Sequence, residues 1–259
     1  MNSTKMSLVI ETKVGLLQVK VFASRAEMGE AAGKAVSDCI KTLFDQQEIV
    51  RIIFAAAPSQ NEVLAYLAKD KNIDWQRIDV FHMDEYIGLP EAAPQRFSSF
   101  LVDRLFAEVK PRTINLIDDA NGIESAVFTY SGLIEEAAID IVCLGIGENG
   151  HIAFNDPPVA DFADPKLVKQ VILDEACRQQ QVNDGCFPNF NAVPESALTL
   201  TIPALMSGKY LYCTVPGKTK KQAVKEVLTG EITAACPASI LRNHQNCTLF
   251  TDTDAYTLG

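Results

Sequence analysis

Residues able to move a proton gather in one stretch, Cys143-Leu-Gly-Ile-Gly-Glu-Asn-Gly-His-Ile-Ala-Phe-Asn-Asp-Pro157. His151 belongs to the one side-chain type that titrates near neutrality, so it can both take and give a proton. Glu148 and Asp156 are its carboxylate neighbours in the chain, and Asn149 offers an amide able to orient an imidazole or bind a hydroxyl. Gly145 and Gly147 let the backbone approach a ligand closely or take a positive φ. The same residues would also suit a plain strand-to-loop turn around a satisfied histidine, and His151 alone does not separate the two readings.

Three further polar features follow apolar runs. Asp84-Glu85-Tyr86 follows Ile78–Met83, and a carboxylate in a cleft can serve as a general base. Adjacent side chains of an extended segment point to opposite sides, so Asp84 and Glu85 are not expected to share a role. Ala57-Pro58-Ser59 follows the run that begins at Val50, and Ser59 with Glu62 has the spacing of a capping box. A helix start of that kind can hold a phosphate or be no more than a cap. Lys218-Thr-Lys-Lys221 follows Tyr210–Val215.

The elements that must position these residues alternate between strand and helix. Short β runs are expected at Ser7–Glu11 and Leu16–Phe22, and Ser24-Arg-Ala-Glu27 is a capping box that opens a helix to about Asp45. Val50–Ala57 is apolar nearly throughout, as a strand covered on both faces should be. Helices are expected from Ser59 to Ala68, Arg96 to Glu108, Ile123 to Ala138 and Lys220 to Leu228, the last ended by Gly230 at its C′ position. A short helix is expected at Ala238–Arg242. Further strands are expected at Thr113–Ile117, Ile139–Leu144, Leu167–Leu173, Ala197–Ile202 and Cys247–Thr251. Such alternation implies an α/β fold: a doubly wound, mostly parallel sheet with helices on both faces, in a single domain spanning 1–259. Ligands of such sheets collect at the carboxyl ends of strands, where all four polar features would meet. The stretch Asp174–Pro194 has little periodicity, and the span 158–192 reads as a lid.

The chain has 259 residues, 23 basic and 33 acidic, giving a net charge of -10. No basic stripe is present, so neither nucleic acid nor an anionic membrane is an expected partner. An anionic substrate would need a small, focused positive site. Seven scattered cysteines without a C-x-x-C pattern suit reduced thiols in a cytoplasmic protein, and three histidines suit no His/Cys metal site. Met1–Lys13 lacks a leader pattern, and no apolar segment is long enough to span a bilayer.

Phe81-His-Met-Asp-Glu-Tyr-Ile-Gly-Leu-Pro90 and Gly145-Ile-Gly-Glu-Asn-Gly-His-Ile-Ala-Phe-Asn-Asp-Pro157 resemble the two signature stretches of the glucosamine-6-phosphate deaminase (isomerase) family, which shares a superfamily with the 6-phosphogluconolactonases. The resemblance implies a modified Rossmann-like fold, no cofactor, a small sugar phosphate as partner, and an aldose–ketose isomerisation coupled to loss of ammonia. It leaves room for association with further copies of the chain. It gives proton shuttling to Asp84, ring opening to His151 and support of the His to Asp156. It gives phosphate binding to Ala57, Pro58, Ser59, Lys220 and Arg178. Glu85, Tyr86 and Gly147 join the substrate-facing candidates through the signature stretches.

Three positions depart from the family pattern. Asn149 stands where Asp is usual, Asp156 where Glu is usual, and Ala55-Ala-Ala-Pro-Ser59 where the loop is usually Gly-Thr-rich. Glu148 is the carboxylate beside Asn149 that would make good the first change. The departures fit a different sugar, such as galactosamine 6-phosphate, and equally a loss of activity. A lactonase acting on a phosphorylated sugar acid and a non-catalytic sugar-phosphate sensor are the rival functions.

Overall fold

The computed structural model of the chain describes residues 7–183 and 185–257. Residues 1–6, part of the stretch read for a leader, lie outside them. The strands are β1 (Leu8–Val14), β2 (Leu17–Phe22), β3 (Val50–Phe54), β4 (Ile78–His82), β5 (Asp84–Tyr86), β6 (Thr113–Asn115), β7 (Ile141–Leu144), β8 (Val168–Ile172), β9 (Ser196–Leu200), β10 (Tyr210–Val215) and β11 (Cys247–Asp252). The helices are α1 (Arg25–Phe44), α2 (Asn61–Lys69), α3 (Phe97–Leu101), α4 (Ala107–Val109), α5 (Ile123–Glu135), α6 (Glu175–Asn183), α7 (Ile202–Met206) and α8 (Lys221–Thr229).

Every residue of β3 is buried, because helices cover both faces of the sheet. Val50, Ile52 and Phe54 meet Met28, Val36 and Ile40 of α1 and Leu64 of α2. Ile53 points the other way, into a core shared with Tyr130 of α5, Leu205 of α7 and Val227 of α8. Each such side chain contributes roughly 1.5–3 kcal/mol on burial. The α1 helix begins as its capping box predicts, with Ser24 Oγ accepting from the Glu27 N–H at 3.3 Å. A Cβ on Gly29 would lie 2.1 Å from Cβ of Glu62, and one on Gly33 would lie 2.5 Å from Cβ of Tyr66. These two glycines therefore let α1 close onto α2.

The main sheet has the order β1-β2-β11-β10-β7-β3-β4-β6. All its pairs are parallel except β1 with β2. From β3 the chain moves outward through β4 to β6, then returns to the other side of β3 at β7 and moves outward through β10 and β11. The direction of winding thus reverses between β3 and β7, and the loops leaving these neighbours diverge. Such a switch point is where an open α/β sheet opens a crevice at its carboxyl edge.

Several local expectations need correction. Asp84–Tyr86 does not simply trail the preceding strand: it forms β5, which pairs antiparallel with β9, which in turn pairs with β8 in a separate three-stranded sheet. Ser59 and Glu62 do not form a capping box. Pro58–Gln60 makes a 3-10 turn, α2 starts at Asn61, and the Glu62 carboxylate binds Arg25 instead. Asp174–Pro194 contains α6, whose buried residues include Gln180 and Gln181. Its inward face is polar, so no apolar period marks it. Gly230 ends α8 in an extended conformation, φ -76° and ψ -178°, not the left-handed one. The Arg96–Glu108 helix is interrupted by a π turn over Val102–Phe106.

Candidate active site

A cavity of about 430 Å³ opens at the carboxyl ends of β3, β4, β7 and β10. The loops from β3 and β7 form its floor at the switch point. Gln60 Nε2 ties them together, donating to Leu144 O at 3.1 Å and to Thr214 Oγ1 at 2.7 Å. A Cβ on Gly145 would meet Ser59 Oγ at 3.0 Å, so the glycine lets the two loops approach. Of the residues singled out from sequence, Ala57, Pro58, Ser59, Asp84, Gly147, His151 and Lys220 line this one space.

His151 follows a tight turn. Gly150 takes φ +82° and donates its N–H to Gly147 O, while Gly147 donates to His151 O. The ring lies across Gly147, where an added Cβ would sit 2.1 Å from Cε1 and 2.2 Å from Nε2. Gly147 is thus needed for the space its missing side chain leaves. Nδ1 of His151 is 2.8 Å from Oδ1 of Asn149 and 2.9 Å from Oδ1 of Asp156. Both are acceptors, so the proton belongs on Nδ1 and Nε2 is left as the base.

Asn149 therefore orients the imidazole, and its Nδ2 donates to Asp156 at 2.8 Å. Burial alone would raise the Asp156 pKa. The His151 hydrogen bond and charge, with donors from Asn149 and the Cys177 thiol, outweigh burial and hold it below the usual carboxylate range. The carboxylate that partners the histidine is Asp156. Glu148, the neighbour of Asn149, is outside the cavity lining, and its backbone N–H donates to Gln180 Oε1 at 2.9 Å.

Asp84 and Glu85 point to opposite sides of β5 and meet different fates. The Asp84 carboxyl lines the cavity and accepts no protein hydrogen bond among the described residues. Burial, then the negative charges of Glu85 and Asp156, push its pKa well above the ordinary carboxylate value. The Glu85 carboxylate lies outside the cavity lining. It accepts from Phe97 N and Ser98 N at 3.0 Å each and from Ser98 Oγ at 2.6 Å. It anchors the first turn of α3, with Arg96 Nε 3.5 Å away.

Tyr86 is also outside the cavity lining, packed among Phe97, Phe154 and Phe187. Arg178 does not line the cavity either. Its guanidinium lies over the Phe190 ring at 4.2 Å and donates to Val193 O at 2.8 Å.

Sequence reasoning passed over Arg25, Gln180, Gln181 and Cys177. Arg25 lines the cavity from the start of α1, just after β2. Because β2 runs parallel to its neighbour β11, its end lies on the functional edge too, and the rule used for the other strands would have found it. The glutamines line the cavity from α6. Cys177 is buried in the hydrophobic cluster around Tyr86, and His151, Asp156 and Cys177 each place a donor atom within 4.8 Å of the others, close enough to hold a metal ion. In a metal-free protein the three are joined by the hydrogen bonds just described.

A family profile described as glucosamine-6-phosphate isomerases/6-phosphogluconolactonase matches residues 23–250. The chain belongs to this family. A glucosamine-6-phosphate deaminase of Bacillus thuringiensis is 30% identical over 243 residues, 93% of this chain and 89% of the relative. Among solved structures, a monomeric glucosamine-6-phosphate deaminase superposes with a TM-score of 0.84 at 29% identity, covering 92% of this chain and 98% of that one. The 6-phosphogluconolactonase of Thermotoga maritima superposes with a TM-score of 0.76 at 20% identity, covering 92% and 100%, and shares the fold. Both branches of the glucosamine-6-phosphate isomerase/6-phosphogluconolactonase family thus share this α/β architecture. No helix among the described residues is long and apolar enough to cross a membrane.

Proposed function

We propose that the chain is an amino-sugar phosphate isomerase/deaminase, converting glucosamine 6-phosphate and water to fructose 6-phosphate and ammonia. Galactosamine 6-phosphate is the alternative sugar. The observation that carries this reading is Asp84, a buried carboxyl with a raised pKa in the same cavity as His151. A lactonase needs a histidine to activate water but has no use for a base acting on carbon. An isomerase needs both.

In this reading Nε2 of His151 takes the proton of the anomeric hydroxyl and returns it to the ring oxygen, opening the pyranose. Asp84 then takes the proton from C2 and delivers it to C1 through an enolamine. Its raised pKa suits a group that must hold a proton between two carbons and give it back. Hydrolysis of the resulting C2 imine releases ammonia. The phosphate is the remote handle that orients the reacting carbons. The segment 158–192, which carries Gln180 and Gln181 into the cavity wall, acts as its cover.

The test is ammonia release from glucosamine 6-phosphate and galactosamine 6-phosphate, with Asp84→Asn and His151→Ala as controls. Release from either sugar, lost in both variants, is the expected result. No release from a folded protein, with hydrolysis of 6-phosphogluconolactone, would reverse the reading in favour of a lactonase. Binding without turnover would favour a sensor. Asn149 in place of Asp would favour a sensor, but Asp156 keeps a carboxylate on the imidazole.

A further inference from the structure

Among the described residues that line the cavity, the cationic side chains are Arg25 and Lys220, while Asp84 is the carboxylate. Both line the same space as the turn Ala57-Pro58-Ser59. Arg25 is tied to that turn directly, because Nη2 donates to Pro58 O. The turn in turn leans on the end of β10, where Thr214 Oγ1 donates to Ser59 O at 3.3 Å. Lys220 belongs to the segment that leaves β10.

Arg25 is also held from behind. Its Nε and Nη2 donate to the two carboxylate oxygens of Glu62 at 2.7 and 3.1 Å. Glu62 can reach because Gly29 leaves no Cβ in its way, as described above. This bidentate clamp fixes the plane of the guanidinium, and Nη1 makes no hydrogen bond among the described residues. A guanidinium fixed along one edge keeps its other donors for an anion. Arg178, in contrast, is occupied with Phe190 and Val193.

We propose that Arg25, clamped by Glu62 against the Ala57–Ser59 turn, binds the phosphate of the substrate together with Lys220, in the part that resemblance would give to Arg178. This rests on the reading that the substrate is a sugar phosphate. It also explains how a chain of net charge -10 makes a focused positive site: two cations line the cavity, and most of the excess acid is elsewhere.

The test is calorimetric titration of the full-length protein with inorganic phosphate and with glucose 6-phosphate, which needs no turnover. Arg25→Met and Arg178→Met keep the aliphatic stem and remove the charge. Arg25→Met is expected to weaken both ligands by roughly 10-fold or more, the loss of a charge-assisted pair, and Arg178→Met by less than about two-fold. Arg25→Lys, which keeps the charge but loses the fork, falls between. Thermal melts report any folding loss separately. Wild-type binding that survives Arg25→Met overturns the proposal and leaves the sugar-phosphate reading intact, as does a large loss in Arg178→Met alone. Absence of wild-type binding to either ligand overturns both.

Discussion

Oδ1 of Asp156 lies 2.9 Å from Nδ1 of His151 and accepts from Asn149 Nδ2 at 2.8 Å. Imidazole, amide and carboxylate thus form a closed triangle that fixes which ring nitrogen carries the proton. Asp156→Asn would set a second amide against Nδ1 and remove the charge that stabilises imidazolium. Ammonia release should fall by about 10²–10⁴ in kcat with KM little changed. Retention of near-wild-type kcat would mean that Asn149 alone orients the ring. The depressed pKa of Asp156 adds a stability signature: its contribution is present above the ordinary carboxylate range and lost as pH falls through the lowered value. The difference in Tm between wild type and Asp156→Asn should therefore shrink in acid.

Gly147→Ala tests a purely steric demand. The added methyl would overlap the imidazole, so the ring must move while the rest of the turn keeps its hydrogen bonds. A displacement of about 1 Å at a catalytic base costs on the order of 100-fold in rate. Circular dichroism should be unchanged and kcat sharply reduced. An active Gly147→Ala variant would show that the ring has room to turn aside and still work.

Asp84→Asn should inactivate the protein and stabilise it. A carboxyl whose pKa is raised on folding binds more protons folded than unfolded, so it costs stability as pH rises from about the ordinary value of 3.8 towards the raised one. Asn has no such cost. The gain in Tm should be absent in strong acid and grow with pH, reaching roughly 2–4 °C if the cost is about 1 kcal/mol. Melting curves from pH 3 to 8 measure it, and a loss of Tm at neutral pH would refute the assignment of Asp84 as a destabilised functional group.

Glu85→Gln should behave in the opposite way. The Glu85 carboxylate accepts from two backbone N–H groups at the start of α3, and an amide can present only one acceptor oxygen there. A loss of about 1.5–3 kcal/mol is expected, the range for hydrogen bonds to a charged group. Per folded molecule, KM for the sugar phosphate should stay within about two-fold, since Glu85 lies outside the cavity lining. Denaturant titration and kinetics on the same preparation separate the two effects.

Much of this was legible from strand ends. The rule that ligands gather at the carboxyl edge places Ser59, Asp84, His151 and Lys220 in one region from sequence alone, and the parallel pairs around β3 and β7 explain why it works. The small sheet was not legible. Asp84-Glu85-Tyr86 is too short to display a period, and its strand character comes from pairing with Ala197–Thr199, far away in sequence. The helix α6 was hidden because its buried face is glutamine. Glu148 and Asp156 could not be ranked as partners of His151 from spacing alone, since that choice depends on how the loop folds back after Gly150. Arg178 looked suitable by type, but its direction is set by stacking on Phe190.

The main sheet and the small one meet at Met83, between β4 and β5, whose carbonyl accepts from Leu200 N at 2.8 Å. Asp84 is thus borne by the three-stranded unit, while His151 and the Ala57–Ser59 turn hang from the eight-stranded one. The outer side of the smaller unit rests on its own hydrophobic cluster around Tyr86, Phe154 and Val171. Small units of this kind open at lower free energy than the central core. In mild urea the two halves of the catalytic apparatus would part company while most of the ellipticity persisted, making turnover a more sensitive gauge of damage than any spectrum of the backbone.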